Sequence, residues 1–320
     1  MSEIAGEVGA TSAPERRSAA ARFFGSDLFY SFRRSPVTII SAVVTVLLLL
    51  SAALAPWIAP HNPFDPASIS ITDSLLPPAW NHDQGSWTYL LGTDDQGRDV
   101  LSTILYGMRI SLSVGFASVI LALVIGVTLG LIAGYVGGFT DALIMRIADV
   151  QLTFPAILTA LLIDGVARAI AGAQAYEDIV FWVLVLSIGL SFWVQYARTV
   201  RGSVLVEANK EYVLAARLIG LRPGAIMFRH VLPNVTGPIL VIATINLALA
   251  IITEATLSFL GVGVPPTQPS LGTLIRIGND YLFSGEWWIT IFPGITLAIL
   301  ALAVNLLGDW LRDALNPKLR

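Results

Sequence analysis

A chain of 320 residues that is 55% hydrophobic, 13% charged and of mean hydropathy +0.74 carries about half the ~25% charge of an ordinary globular domain, which excludes a water-soluble fold. It has no cysteine, so disulfides, thiol catalysis and cysteine metal sites are excluded too. The net charge of −3 says little; where the charges fall says more.

Charged residues are missing from residues 35–64, 110–140, 179–197, 231–253 and 287–308. Each stretch reaches the roughly 17–25 residues with which a helix crosses ~30 Å of hydrocarbon. In chain order, the expected elements are a polar tail over 1–35 and a first span over 37–58, followed by an external segment to residue 106. A core with five further spans over 110–133, 147–163, 179–195, 239–260 and 287–307 fills 107–320. The fold class is an all-α membrane protein with six transmembrane helices.

Residues 60–108 lie outside, and Pro60, Pro63, Pro66, Pro77 and Pro78 forbid a continuous helix there. Its turns predict a segment packed against a partner, with Asp94 and Asp99 capping or neutralising Arg98 and Arg109. In the second span Gly126, Gly130, Gly134 and Gly138 recur every four residues. That spacing lines one helix face with small residues, where another helix can approach closely. The third span holds Asp149, Gln151, Thr153 and Pro155 in its first half; such groups are affordable only against protein or a water-filled path.

Between the fourth and fifth spans lies a polar island over 198–234 with six basic residues, Arg198, Arg201, Lys210, Arg217, Arg222 and Arg229. With both termini cytoplasmic, fifteen Lys and Arg residues fall inside and four (Arg98, Arg109, Arg168 and Arg276) outside; the positive-inside rule selects that orientation. Helix-forming residues in the island are broken by Gly220 and Pro223-Gly224, so it reads as a docking element offered to a soluble partner. The plainer alternative is an amphipathic helix lying on lipid headgroups.

No G-x4-G-K-[ST] loop occurs, so the chain has no phosphate cradle of that kind. His61, His82 and His230 are too scattered for a metal site. The run Asp94 to Asp99 lacks the alternating oxygens of a calcium loop. Ser191 would find a base only in His230, beyond its span. Neither catalysis nor a nucleic-acid partner is indicated.

Within the island, Ala215-Ala216 is followed by Gly220 and then by Leu232-Pro233. This spacing resembles the coupling motif of permease subunits of ABC importers. Four further stretches resemble the second (C-type) permease of the peptide/nickel family. They are Leu91 to Ser102, Arg146 to Asp149 with Phe154-Pro155, Glu254 to Gly261, and Asn305 to Asp313 with Asn316-Pro317. Leu214 stands where the general motif has Glu, and His230 where it has an aliphatic residue.

The resemblance implies a type I importer fold in the bacterial inner membrane, working by alternating access as half of a translocation pathway for peptides. Nickel or another small solute is the alternative within the family, and a secondary transporter the rival outside it. Implied partners are a second homologous permease, two ATP-binding subunits holding ATP and Mg, an extracytoplasmic solute-binding protein and the lipid bilayer. This chain itself holds no cofactor. Glu211, Tyr212, Ala215, Ala216, Arg217, Gly220, Leu232 and Pro233 are the expected ATPase-coupling residues.

Glu254 sits about fifteen residues into the fifth span, and Asn246 two helical turns before it. A carboxylate at the bilayer centre costs at least ~2.5–3.5 kcal/mol on insertion scales, so it faces protein or water. Asn246 and Glu254 are therefore expected in the wall of a translocation path, or else bonded inside the bundle to hold the span in place.

Overall fold

The computed structural model describes residues 27–65, 69–81 and 85–315; most of the 1–35 tail and the Asn316-Pro317 pair lie outside them. Twelve α-helices follow one another among the described residues: α1 Asp27–Arg34, α2 Pro36–Ala53, α3 Ala55–Ile58, α4 Val100–Val136, α5 Gly138–Thr153 and α6 Ala156–Ala171 come first. Then come α7 Ala173–Glu207, α8 Glu211–Leu218, α9 Pro223–Ile226, α10 Thr236–Phe259, α11 Leu271–Tyr281 and α12 Trp288–Leu315. Five of them, α2, α4, α7, α10 and α12, are long and apolar enough to cross a membrane.

Local sequence explains the ends. Ser35 caps α2, its hydroxyl accepting from Thr38 N, with Pro36 in the first turn where no donor is lost. Asp99 caps α4 through Ser102 N at 2.9 Å. The burial pattern of α2 is inverted relative to a soluble helix. Thr38, Ser41 and Thr45 point inward, while Val37, Ile40, Val43, Val46, Leu47 and Leu50 are exposed. Such a surface is untenable in water and natural against lipid.

The bundle is organised around α4 and α7, the most extensively packed pair. Their contact is set by three glycines. A Cβ added at Gly126 would lie 2.4 Å from Trp193 O, at Gly130 2.5 Å from Ala197 O, and at Gly134 2.8 Å from Val204 Cβ. Gly138 departs from the expected four-glycine face. With φ +57° and nothing within 4 Å of a Cβ, it opens α5 beyond the seam.

Three element boundaries differ from the sequence reading. The expected straight third span is two helices, α5 and α6, bent by 91°. Pro155 lacks the N–H that would continue α5, and it forces Phe154 to extended backbone at φ −95°, ψ 128°. Counted as one broken span, the pair brings the total to six. Helix α4 begins ten residues before the expected start, and α7 runs on to Glu207, so Arg198 and Arg201 stand on a helix and not in a loop. A charge marks where the lipid ends, whereas a helix satisfies its own backbone and continues into water.

The external segment packs on its own chain. Thr93 O accepts from Trp288 Nε1 at 3.1 Å, and Leu75 N donates to Asp94 O at 3.0 Å. Arg98 Nη1 reaches Pro266 O at 2.9 Å, and its Nε pairs with Asp94 at 2.6 Å with both side chains 2% exposed. Asp99 caps α4 and lies 3.9 Å from His61, so the expected charge pairing is made by Asp94 alone.

Candidate functional site

Beyond the end of α7 the chain folds into a compact polar knob made of α8, α9, a π-helical turn over Met227–Val231 and a 3₁₀ turn over Leu232–Asn234. The sequence EYVLAARL places Val213 and Ala216 one turn apart on one face. They are 0% and 4% exposed and pack with Leu131, Val200, Val204, Ile226, Val231 and Val235. The opposite face is open: Tyr212, Leu214, Leu218 and Ile219 are exposed, the last two at 88% and 75%.

The end of α8 explains the Ala-Ala-x3-Gly spacing physically. Gly220 N donates to Arg217 O at 3.0 Å and Leu221 N to Ala216 O at 3.2 Å. This paired closure needs a left-handed residue after the cap, and Gly220 has φ +78°. Ala216 must be small because it is the buried residue under that closure; Ala215 remains outside.

A second set of bonds fixes the knob to α7. Tyr212 Oη donates to Glu207, Asn234 Nδ2 donates to Tyr212 Oη at 3.0 Å and to His230 O at 2.7 Å, and Lys210 pairs with Glu207 at 2.7 Å. Burial, then the hydrogen bond and charge of Glu207, push the Tyr212 phenol up to about 12, so it remains a donor at physiological pH. The Arg217 guanidinium lies 4.7 Å from the Tyr135 ring centroid, tying α8 to the end of α4. Of the residues singled out in the sequence, Glu211, Tyr212, Ala215, Ala216, Arg217, Gly220, Leu232 and Pro233 thus all belong to this one knob.

Asn246 and Glu254 lie elsewhere, in α10, both 0% exposed. Glu254 sits among the hydroxyls of Ser111, Ser258 and Ser270, with Ser258 Oγ donating to Oε1 at 2.7 Å. Neither residue opens onto a path in this conformation.

Several polar pairings escaped the sequence reading. Arg198 pairs with Asp149, and Arg201 makes two bonds to Asp141 at 2.5 and 2.6 Å, tying α5 to α7 near the knob. Partners 49 and 60 residues apart leave no local signal. Asp164 and Arg168, paired at 2.8 Å, carried a legible one in their i,i+4 spacing. Among the described residues no group of three or more His, Asp or Glu could hold a metal.

Comparison with known proteins places this geometry. Residues 126–320 match the family described as "Binding-protein-dependent transport system inner membrane component", and residues 24–78 match the "N-terminal TM domain of oligopeptide transport permease C". The chain is 38% identical over 294 residues to the dipeptide transport system permease protein DppC of Haemophilus influenzae, covering 92% of this chain and 95% of that protein. It is 41% identical over 295 residues to the DppC of Escherichia coli K12, covering 92% and 93%. Among solved structures, an inward-facing form of the MetNI methionine ABC transporter superposes with a TM-score of 0.53 at 20% identity, covering 67% of this chain and 96% of that one. That likeness shows the type I importer permease fold. The chain therefore belongs to the binding-protein-dependent transport system inner membrane components, as a C-type permease subunit in the bacterial inner membrane.

Proposed function

We propose that this chain forms one half of the translocation pathway of an ATP-driven importer of short peptides. Its partners are a second homologous permease, two ATPase subunits that bind ATP and Mg, and an extracytoplasmic binding protein. The relatives named for dipeptide transport support the substrate class. The knob carries the mechanism: an eight-residue helix, closed by Gly220, presents exposed Leu218 and Ile219 beyond the last turn of a 35-residue span.

Apolar side chains exposed off the end of a membrane bundle fit a groove on a soluble protein, not water. Docked there, α8 is pushed when the ATPases close. Because Tyr212, Glu207 and Asn234 bolt it to α7, the push becomes a tilt of the whole span. Alternating access follows if the two permease halves rock in this way. The excess of Lys and Arg in the knob and the terminal segments supports a cytoplasmic place for them.

Glu254 acts in this reading as a buried anchor that holds α10 against Ser111 of α4 and Ser270, while the Asn246 side chain is buried in the same helix. Full burial within a single chain supports that role over a place in the pathway wall.

The test uses the absence of native cysteine. A thiol introduced as Leu218→Cys in the assembled complex should cross-link to an ATPase subunit, and the unmodified complex should accumulate labelled dialanine with ATP and binding protein. Failure of every thiol across 212–220 to capture an ATPase would sink the docking assignment.

A further inference from the structure

At the end of the molecule opposite α8, a cleft of about 380 Å³ opens where α6, the start of α7, the turn over 261–266 and α11 meet. Its volume falls within the roughly 300–1,000 Å³ of small-molecule sites. Arg168 and Arg276 line it together with Tyr176, Ser258, Pro266 and Glu177.

The two arginines are in different states. Arg168 is committed: its Nε donates to Asp164 at 2.8 Å, its Nη2 reaches Gly261 O at 3.3 Å, and its guanidinium covers the Tyr176 ring at 4.2 Å. Arg276 is not. Among the described residues none of the ion pairs involves it, and its Nε is shut off from solvent with no acceptor. Behind the same turn, Arg98 holds Pro266 O through Nη1 while its Nη2 is also buried without a partner. Both orphaned atoms are closed to solvent and so stay costly where they are; what Arg276 offers a solute in the cleft is the charged Nη end of its guanidinium, with no carboxylate of the described residues to neutralise it. Glu177, exposed on the rim, supplies the opposite charge.

We propose that this cleft receives the carboxylate end of the transported peptide, with Arg276 as the donor fork and Glu177 meeting the ammonium end. The proposal rests on the reading of the chain as a short-peptide importer permease and adds where the solute first touches it. Arginine suits the role because its planar fork matches a carboxylate with two parallel bonds. A wall carrying both signs of charge in one small cleft fits a zwitterion better than the acidic side chain of a docked protein. Arg168, already neutralised by Asp164, shapes the wall.

Two measurements test it on the complete complex of both permeases, ATPases and binding protein in proteoliposomes. In the first, Pro266→Cys puts a thiol on the rim while keeping the carbonyl that Arg98 uses. Dialanine should slow alkylation of that thiol by about tenfold, the worth of one good charge-assisted pair, and dialanine amide should not. Equal protection by acid and amide, no protection by either, or protection that needs only the docked binding protein would each overturn the proposal. In the second, Arg276→Gln should cut dialanine transport about tenfold at saturating loaded binding protein, leave stimulated ATP hydrolysis within about twofold, and be partly rescued by Arg276→Lys. Loss of stimulated hydrolysis together with transport, unrescued by Lys, would make Arg276 a structural residue and end the assignment, as would undiminished transport. If the unmodified complex accumulates no dialanine, the peptide reading falls instead; the alkylation assay needs no turnover and decides the site by itself.

Discussion

At the scale of single residues, the molecule places its tightest demands where a backbone or a charge has no alternative. Gly220 has open space around it, so its constraint is φ +78° alone. Gly220→Val should therefore destabilise the end of α8 by about 1–2 kcal/mol and uncouple ATP hydrolysis from transport, while Gly220→Asn, which tolerates that conformation, should retain most coupling. The ratio of peptide transported to ATP hydrolysed reads the difference. Equal loss in both variants would move the cause from backbone to side chain. The Asp94–Arg98 pair makes the opposite kind of demand, since both partners are buried. Asp94→Asn strands a buried guanidinium and should destabilise the external segment by about 3–5 kcal/mol, visible as faster protease cleavage within residues 85–99. Cleavage at the unmodified rate would mean that Arg98 is held well enough by Pro266 O.

At the scale of elements, close approach of α4 and α7 is the main packing decision. Main-chain oxygens of Trp193 and Ala197 occupy the space a side chain at Gly126 or Gly130 would need, and backbone does not yield as a rotamer does. Gly126→Ala and Gly130→Ala should each cost about 1–3 kcal/mol or more, lowering the unfolding temperature of the purified complex. Gly165→Ala, in α6 with nothing within 4 Å, is the matched control and should change little. If Gly130→Ala unfolds at the temperature of Gly165→Ala, the seam is looser than its geometry. The bend at Pro155 is the second decision of this kind: it turns one apolar stretch into two helices at 91°, so α6 leaves the path of α5 and lies along α7 instead.

At the scale of the whole molecule, α7 links the two ends where we propose that this protein meets other molecules. Tyr176, near its start, lines the outer cleft, and Glu207, at its other end, holds Tyr212 of the knob. At ~1.5 Å per residue, the 35-residue helix spans about 52 Å. A rigid rod of that length carries a tilt at one end to the other, and Asp141 and Asp149 brace it from α5. Glu254 tests which parts move. As a core anchor, a Glu254→Cys thiol should resist a small water-soluble alkylating reagent in the nucleotide-free, ATP-bound and hydrolysing states of an active complex. Reaction in any one state would put α10 in the pathway wall.

The sequence by itself determined the membrane class, five of the six expected apolar crossings and the polar knob between the fourth and fifth of the expected spans. Each of these rests on composition or short spacing: uncharged runs set by hydrocarbon thickness, or the Ala216–Gly220 interval set by a helix-closing turn. The glycine spacing likewise marked a seam, though only the packed helices show that it ends at Gly134, where α7 has its last backbone against α4. Tertiary structure alone decided the bend at Pro155, because proline in a membrane helix either kinks or breaks it according to what its neighbours can satisfy. It alone decided the partners of Asp141 and Asp149, which lie far away along the chain, and the main-chain oxygen of Pro266 that Arg98 finds. It alone showed that Glu254 is inside and Arg276 unpaired, since burial and charge balance belong to the folded arrangement and not to any window of residues.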